Sequence, residues 1–439
     1  MIVSLLLITC CALQSTPSST WANLVQPSEV PRRGFEQPRQ SLLQPLLSDV
    51  NAPTAERLAA LKALAYLDVD LPYKVVIAIR PQIRGEESTV SYIRCLARTG
   101  IKARPALTKY LKNRLPAIRA EATYALVKFF DNGRQLARSV LDNPKAHVWQ
   151  RVAALRGLAD VNLSLAQVAV MRRVLDESGS MLLECLEVLR RDLSGDHVAL
   201  LIDLLKRARC RATIEAVVML RMITGYNISD SYEQWRRMYL KHKVKNEPMR
   251  ALRQTEGQLN TVSYLGIPIF SGNICFVLDS SSSMNTRMQE MKRATRAAKV
   301  VTEFKRMLQI LPGSSSFNVV FFETYVHEMS ESLLPASPQT KEYAEAYVGE
   351  NDFSGGTNMY GGIRRAFELD GVEEIIVLSD GDPSEGEYTL PWQILMEIER
   401  INRWQNIRVS TISFSAPPAA QSLMYTIAAQ NLGHFKDVK

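Results

Sequence analysis

Asn273-Ile-Cys-Phe-Val-Leu-Asp279-Ser-Ser-Ser-Ser283-Met284 decides how the last third of the chain folds. Ile274–Leu278 is a short continuous apolar run, the pattern of a strand buried on both faces. It stops at an aspartate and four serines, and a long helix is expected to follow over Met288–Leu308. Further apolar strands read at Phe317–Phe322, Glu374–Asp380 and Ile407–Phe414, with helical stretches at Tyr360–Leu369 and Gln393–Asn402. Strands alternating with helices imply an open, mostly parallel sheet covered on both faces, the doubly wound, Rossmann-like α/β class. In such sheets ligands sit outside the carboxyl ends of strands, and Asp279 and Asp380 both fall there.

Three loops therefore converge. The first is Asp279-x-Ser281-x-Ser283. The second is Ser354-Gly-Gly-Thr357-Asn-Met359, whose paired glycines let backbone approach closely. The third is Ser379-Asp380-Gly381. Together they offer two carboxylates and three hydroxyls, all hard oxygen donors. Magnesium favours near-octahedral oxygen at about 2.1 Å and dehydrates reluctantly. Hydroxyls can bind it directly while carboxylates hold its waters. With few anions touching it, the metal would keep net positive charge and stay avid for an incoming carboxylate.

This pattern resembles the metal-ion-dependent adhesion site of the von Willebrand factor A family, over residues 272–439. The resemblance implies that Ser281, Ser283 and Thr357 touch the metal, that Asp279 and Asp380 act mostly through water, and that a partner Glu or Asp fills the sixth position. The implied cofactor is Mg2+, with Mn2+ or Ca2+ as alternatives. Met284, Gly355-Gly-Thr357-Asn358 and the closing strand His434-Phe-Lys-Asp-Val438 extend the likeness. Ser282 departs from it, because the family often has glycine there, and adds a side chain near the ligand face. Asp382 and Glu385, just past the third loop, read as solvated carboxylates beside the rim.

Upstream, residues 46–245 read as helix throughout, with apolar residues three and four apart and no strand alternation. Leu64, Leu96, Leu126, Leu158, Leu189 and Leu220 each sit in a helix with a small-and-leucine face, and they recur at roughly 31 residues, the period of a two-helix repeat. One such unit cannot bury its apolar stripe alone, and stacking makes a continuous core. The segment resembles HEAT-type repeats, with an irregular helical bundle as the plainer alternative. A solenoid would offer a second protein-contact surface. Gly225 reads as a helix stop, Asp230 or Ser231 as the next start, and Trp235 with Tyr239 as one aromatic face capping the last repeat. Residues 246–271 read as a linker.

A chain of 439 residues fits two domains or more, and 46% hydrophobic residues are ordinary for folded protein. The formal charge of +8 hides an asymmetry: 37 Lys and Arg against 23 Asp and Glu up to residue 250, then 16 against 22. A basic front fits nucleic acid or anionic lipid, but no aromatic–basic interleaving appears, so a solvated helix face is preferred and nucleic acid is set aside. Ile2–Leu13 is an apolar run too short to span a bilayer. Residues 1–22 resemble a cleaved secretory signal ending at Ala22, with 23–45 a Pro/Ser/Gln/Arg-rich linker, so export is expected. Lipid attachment at Cys10 is the lesser alternative. No later run reads as a membrane span. Cys95, Cys185, Cys210 and Cys275 are scattered without CxxC spacing, which argues against zinc and for buried free thiols.

Enzyme readings find little support. A phosphoryl-transfer aspartate usually has a second acid two residues on, where Ser281 stands here. Neither GxxxxGK[ST], HExxH nor GxSxG occurs, and His147, His197, His242, His327 and His434 are isolated. The expectation is a non-enzymatic protein: a helical solenoid followed by a metal-dependent binding domain that takes an acidic side chain of a partner. The alternatives are a metal-assisted hydrolase using the same site, and a binding component of an ATPase or chaperone assembly.

Overall fold

The structure is a computed structural model and describes residues 40–208, 210–245, 262–287 and 294–438. The signal-like segment 1–22 with Cys10, the linker to residue 39, residues 246–261 of the second linker and the expected helix start at Met288 lie outside the described residues. The chain forms two compact units, whose described parts fall within residues 36–192 and 193–439.

Helix pairs build the first unit. Going along the chain, α1 (Gln40–Ser48) precedes α2 (Thr54–Tyr66), α3 (Tyr73–Ala78) precedes α4 (Gly85–Ala97), and α5 (Arg104–Tyr110) precedes α6 (Pro116–Phe129). The same alternation continues with α7 (Gly133–Leu141) and α8 (Val148–Val161), then α9 (Leu163–Met171) and α10 (Gly179–Arg190). The second helix of each pair packs on the second helix of the next, α2 on α4, α4 on α6, α6 on α8 and α8 on α10. This is a helical solenoid. Leu64, Leu96, Leu126, Leu158 and Leu189 are all buried at these contacts. Ala60, Ala122, Ala125, Ala153 and Ala154 are buried with them, and their small side chains let the helices approach closely.

Charge follows the same period. Arg94 pairs with Glu121 at 3.3 Å, Arg173 with Asp142 at 3.0 Å and Arg191 with Asp160 at 2.9 Å. The Arg156 Nε donates to both oxygens of Glu184, at 3.1 and 3.2 Å. Each pair joins neighbouring repeats. Because Glu121 and Glu184 are buried, their carboxylates require these partners and so help set the stacking register.

The second unit opens with three more helices, α11 (Val198–Leu204), α12 (Cys210–Thr224) and α13 (Tyr232–Lys245). The repeat pattern reads on to residue 245, but these helices belong to the second unit. The reason lies in the α12 side chains. Arg211 donates to the Asn406 carbonyl, and Glu215 accepts from Arg408 of the sheet. Gly225 ends α12 with φ of 71°, and the Ser231 hydroxyl accepts from the Gln234 N–H at the start of α13. Trp235 and Met238 are buried while Tyr239 is half-buried, so Met238 replaces Tyr239 as the deeper partner of Trp235.

The stretch Ser263–Pro268, read as linker, is a two-stranded antiparallel pair, β1 (Ser263–Tyr264) and β2 (Ile267–Pro268). Leu265 and Gly266 turn it with positive φ, and Tyr264 is buried edge-on against Phe276 and Phe304. The main sheet has strands β3 (Asn273–Asp279), β4 (Ser316–Phe322), β5 (Val326–Glu328), β6 (Leu334–Pro335), β7 (Glu374–Ser379), β8 (Arg408–Phe414) and β9 (Phe435–Val438). Its order is β5-β4-β3-β7-β8-β9, with β6 also on β4. All pairings from β4 to β9 along this path are parallel, while β5 and β6 run antiparallel to β4. Helices α14 (Arg296–Ile310), α15 (Pro338–Gly349), α16 (Met359–Phe367), α17 (Pro391–Asn402) and α18 (Pro418–Gln430) complete the doubly wound unit. The chain runs outward from β3 to β4 and later crosses back past β3 to β7, so the winding reverses at β3 and opens a crevice at its carboxyl end.

Candidate metal centre

Parallel register brings the ends of β3 and β7 side by side, with Leu278 opposite Leu378. Asp279 is therefore next to Ser379, whose hydroxyl donates to Asp279 Oδ2 at 2.5 Å. The Ser281 N–H donates to Asp279 Oδ1 at 2.8 Å, curling the first loop back over its own carboxylate. The Ser281 and Ser283 hydroxyls are 3.0 Å apart, and Ser283 Oγ donates to Asp380 Oδ1 at 2.6 Å. Asp279, Ser281 and Asp380 are almost wholly buried, at 0, 2 and 2% exposure.

The second loop docks on the first. Both the N–H and the hydroxyl of Ser282 donate to the Gly355 carbonyl, at 3.3 and 3.1 Å, and the Ser354 N–H donates to Ser280 at 2.8 Å. It also docks on the segment after the third loop, because the Thr357 N–H donates to Ser384 Oγ at 3.0 Å. Glycine is needed here. At Gly355, with φ of 74°, a Cβ would come 2.4 Å from Glu323 Oε2, and at Gly356 one would come 2.4 Å from Glu385 Cγ. Asn358 ties the parts together: its N–H donates to the Glu323 carbonyl, its Nδ2 to the Thr324 carbonyl, and its Oδ1 caps α16 at Gly361.

Thus the expected residues Asp279, Ser281, Ser283 and Asp380 are joined by direct hydrogen bonds, and Thr357 is held in the loop that docks on both neighbours. Thr357 is buried, and its hydroxyl has no hydrogen-bond partner among the described residues. Burial raises the Asp279 carboxyl to about 6, opposed by hydrogen bonds from Ser281 and Ser379, while nearby Asp380 pushes it further up. Two buried carboxylates joined to the hydroxyls of Ser281 and Ser283 fit a hard divalent cation, which would relieve that penalty. Among the described residues no group of three or more His, Cys, Asp or Glu side chains is placed to hold a metal ion.

Several contributors escaped the sequence reading. Ser379 reads from the sequence only as part of the third loop, and the structure makes it the partner of Asp279. Thr324 holds Gly356 through its hydroxyl at 3.1 Å. Arg296, at the start of α14, pairs with Asp380 Oδ2, and nothing local in the sequence announces that contact. His327 is exposed and lies 3.3 Å from Glu323. Glu385 lies against Gly356, so it lines the rim, and Asp382 is exposed. Cys95, Cys185 and Cys275 are buried free thiols.

Comparison with known proteins bears on the domain that carries these loops. Residues 272–436 match the family model described as von Willebrand factor type A domain. Over 129 residues, 27% of this chain, it is 31% identical to inter-alpha-trypsin inhibitor heavy chain H1 of Mesocricetus auratus, covering 13% of that protein. Human inter-alpha-trypsin inhibitor heavy chain H4 is 30% identical over 134 residues, 28% of this chain and 14% of that one. The chain thus spans a small fraction of the length of these relatives. A solved von Willebrand factor type A structure from Catenulispora acidiphila aligns over 39% of this chain and 40% of that chain, at 19% identity and a TM-score of 0.30. Residues 272–436 of this protein are a von Willebrand factor type A domain.

Proposed function

We propose that the type A domain is a divalent-metal-dependent protein-binding module without a catalytic role. The hydroxyls of Ser281, Ser283 and Thr357 would hold Mg2+, or Mn2+ or Ca2+ in its place, with Asp279 and Asp380 holding its waters. When bound, the metal supplies a positive centre with one position open for a Glu or Asp of a protein partner. The chain's own part is to keep its carboxylates buried and hydrogen-bonded, so that the cation is not neutralised and remains attractive to an outside acid. The observation that carries this reading is the chain of contacts from Asp279 through Ser281 and Ser283 to Asp380, at the ends of neighbouring parallel strands.

The solenoid is proposed as a second contact surface, and the N-terminal 22 residues as an export signal. Among the described residues no helix is long and apolar enough to cross a membrane.

Calorimetric titration of the full chain with Mg2+ and Mn2+ tests the metal. Wild type should bind one ion, and Asp279→Ala should lose at least tenfold in affinity. Absence of binding by wild type would sink the proposal. Pull-downs from the native host then test the partner, which should be retained with Mg2+ and released by chelator, and should not be retained by Asp279→Ala. Mass spectrometry of the mature N-terminus tests export.

A further inference from the structure

Arg296 is the first residue of α14, and its guanidinium pairs with Asp380 Oδ2. Its side chain is 16% exposed and that of Asp380 0%. The other oxygen of Asp380 already accepts the Ser283 hydroxyl at 2.6 Å. Both carboxylate oxygens are thus engaged, one by a donor of the serine cluster and one by a permanent cation. Arg296 is also anchored to the serine-bearing loop: its N–H donates to the Thr286 carbonyl at 3.1 Å, and Arg287 bridges Thr295. The guanidinium is therefore delivered to Asp380 by the same loop that carries Ser281 and Ser283.

Helix formation does not favour arginine at this place. The start of a helix carries the positive end of its dipole and prefers acids. Thr295 already caps α14, accepting from the Ala298 N–H at 3.1 Å. Nor does Asp380 need Arg296 for its orientation, since Ser283 holds it. What remains is charge. Asp380 is a buried carboxylate that would be costly alone, and Arg296 neutralises it.

We propose that Arg296 is a built-in competitor of the divalent cation for Asp380. This rests on the metal reading of the site. The guanidinium stabilises the metal-free site by standing in for the missing positive charge. Once a dication is bound at the hydroxyls, the same guanidinium repels it across a single buried carboxylate. Arg296 therefore makes the metal-free domain more stable and metal binding weaker, and it confines loading to higher cation concentrations.

The test uses the full chain as wild type, Arg296→Gln and Arg296→Lys. Thermal melts in chelator are followed by calorimetric titration with Mg2+ and with Mn2+. For Arg296→Gln the expected result is a lower melting temperature without metal, about tenfold tighter metal binding and a larger rise in melting temperature on loading. Arg296→Lys, with a weaker and more flexible contact, should fall between the two. Should Arg296→Gln fail to fold, tighter binding by Arg296→Lys carries the proposal, and equal or weaker binding overturns it. A purely structural arginine would lower the melting temperature equally with and without metal and leave affinity unmoved. An arginine that orients Asp380 for the metal would give weaker binding when removed. Either outcome overturns the competition while the metal site stands. If wild type and both variants bind no cation, the metal reading itself fails, and the competition falls with it.

Discussion

At the scale of single residues, the site depends on a few atoms that have no alternative. Gly355 accepts two hydrogen bonds from Ser282 through its carbonyl while holding φ at 74°, and a Cβ there would meet Glu323 and Thr324. Gly355→Ala should cost about 1–3 kcal/mol in urea unfolding, from left-handed backbone strain and displaced neighbours. It should also weaken metal binding, since the Thr357 loop would shift. His434 makes a separate prediction. Burial and then Arg408 push its imidazole down to about 4 from 6.5, with Glu215 opposing. A base whose folded value is lowered stays neutral in the fold while the unfolded chain takes up a proton below 6.5. Its stability contribution is therefore complete above about 6.5 and is lost as pH falls towards 4. Urea unfolding at pH 7 and pH 4.5 should show a loss of about 1–3 kcal/mol that His434→Gln removes. An equal loss in the variant would show that other groups cause it.

At the scale of elements, α12 is held to the sheet by buried charge. Glu215 pairs with Arg211 on its own helix and with Arg408 on β8, and Arg408 lies over the Phe270 ring at 4.5 Å. Glu374 on β7 accepts the N–H groups of Phe270 and Ser271 at 2.9 Å each. Burial and the nearby Arg408 lower Arg211 to about 10, with Glu215 and Glu374 opposing, so this carboxylate pair is what keeps both guanidinium groups tolerable. Glu215→Gln should cost about 3–5 kcal/mol, because it leaves buried arginines short of an acid. Chemical denaturation of the full chain measures this. Local signals identify β3, β4, β7, β8 and β9 and the helices α14, α16 and α17 of the type A domain, since each carries its own apolar period, but not β5, β6, α15 or α18. They assigned α12 and α13 to the repeats because those helices carry that period too. They also passed over β1 and β2, whose Tyr264 is buried by Phe276 and Phe304 rather than by any neighbour in sequence.

At the scale of the whole molecule, two units with separate cores should unfold separately. Glu184 is buried and bonded by Arg156, within the first unit, while Glu215 serves the second. Calorimetric scanning should show two transitions, with Glu184→Gln lowering one and Glu215→Gln the other. A single transition moved by both variants would refute this. The sequence by itself determined the central strands of the main sheet, the helical character of the front, the repeat of roughly 31 residues, and the oxygen-bearing residues Asp279, Ser281, Ser283 and Asp380 at or just past strand ends. These properties follow from side-chain type and spacing along a few turns or strands. Only the tertiary structure decided that Ser379 supports Asp279, that Asp380 is shared between Ser283 and Arg296, and that α12 joins the sheet rather than the solenoid. Those contacts join residues 84 to 195 positions apart, and they form because a buried charge takes whichever partner the packing brings within reach.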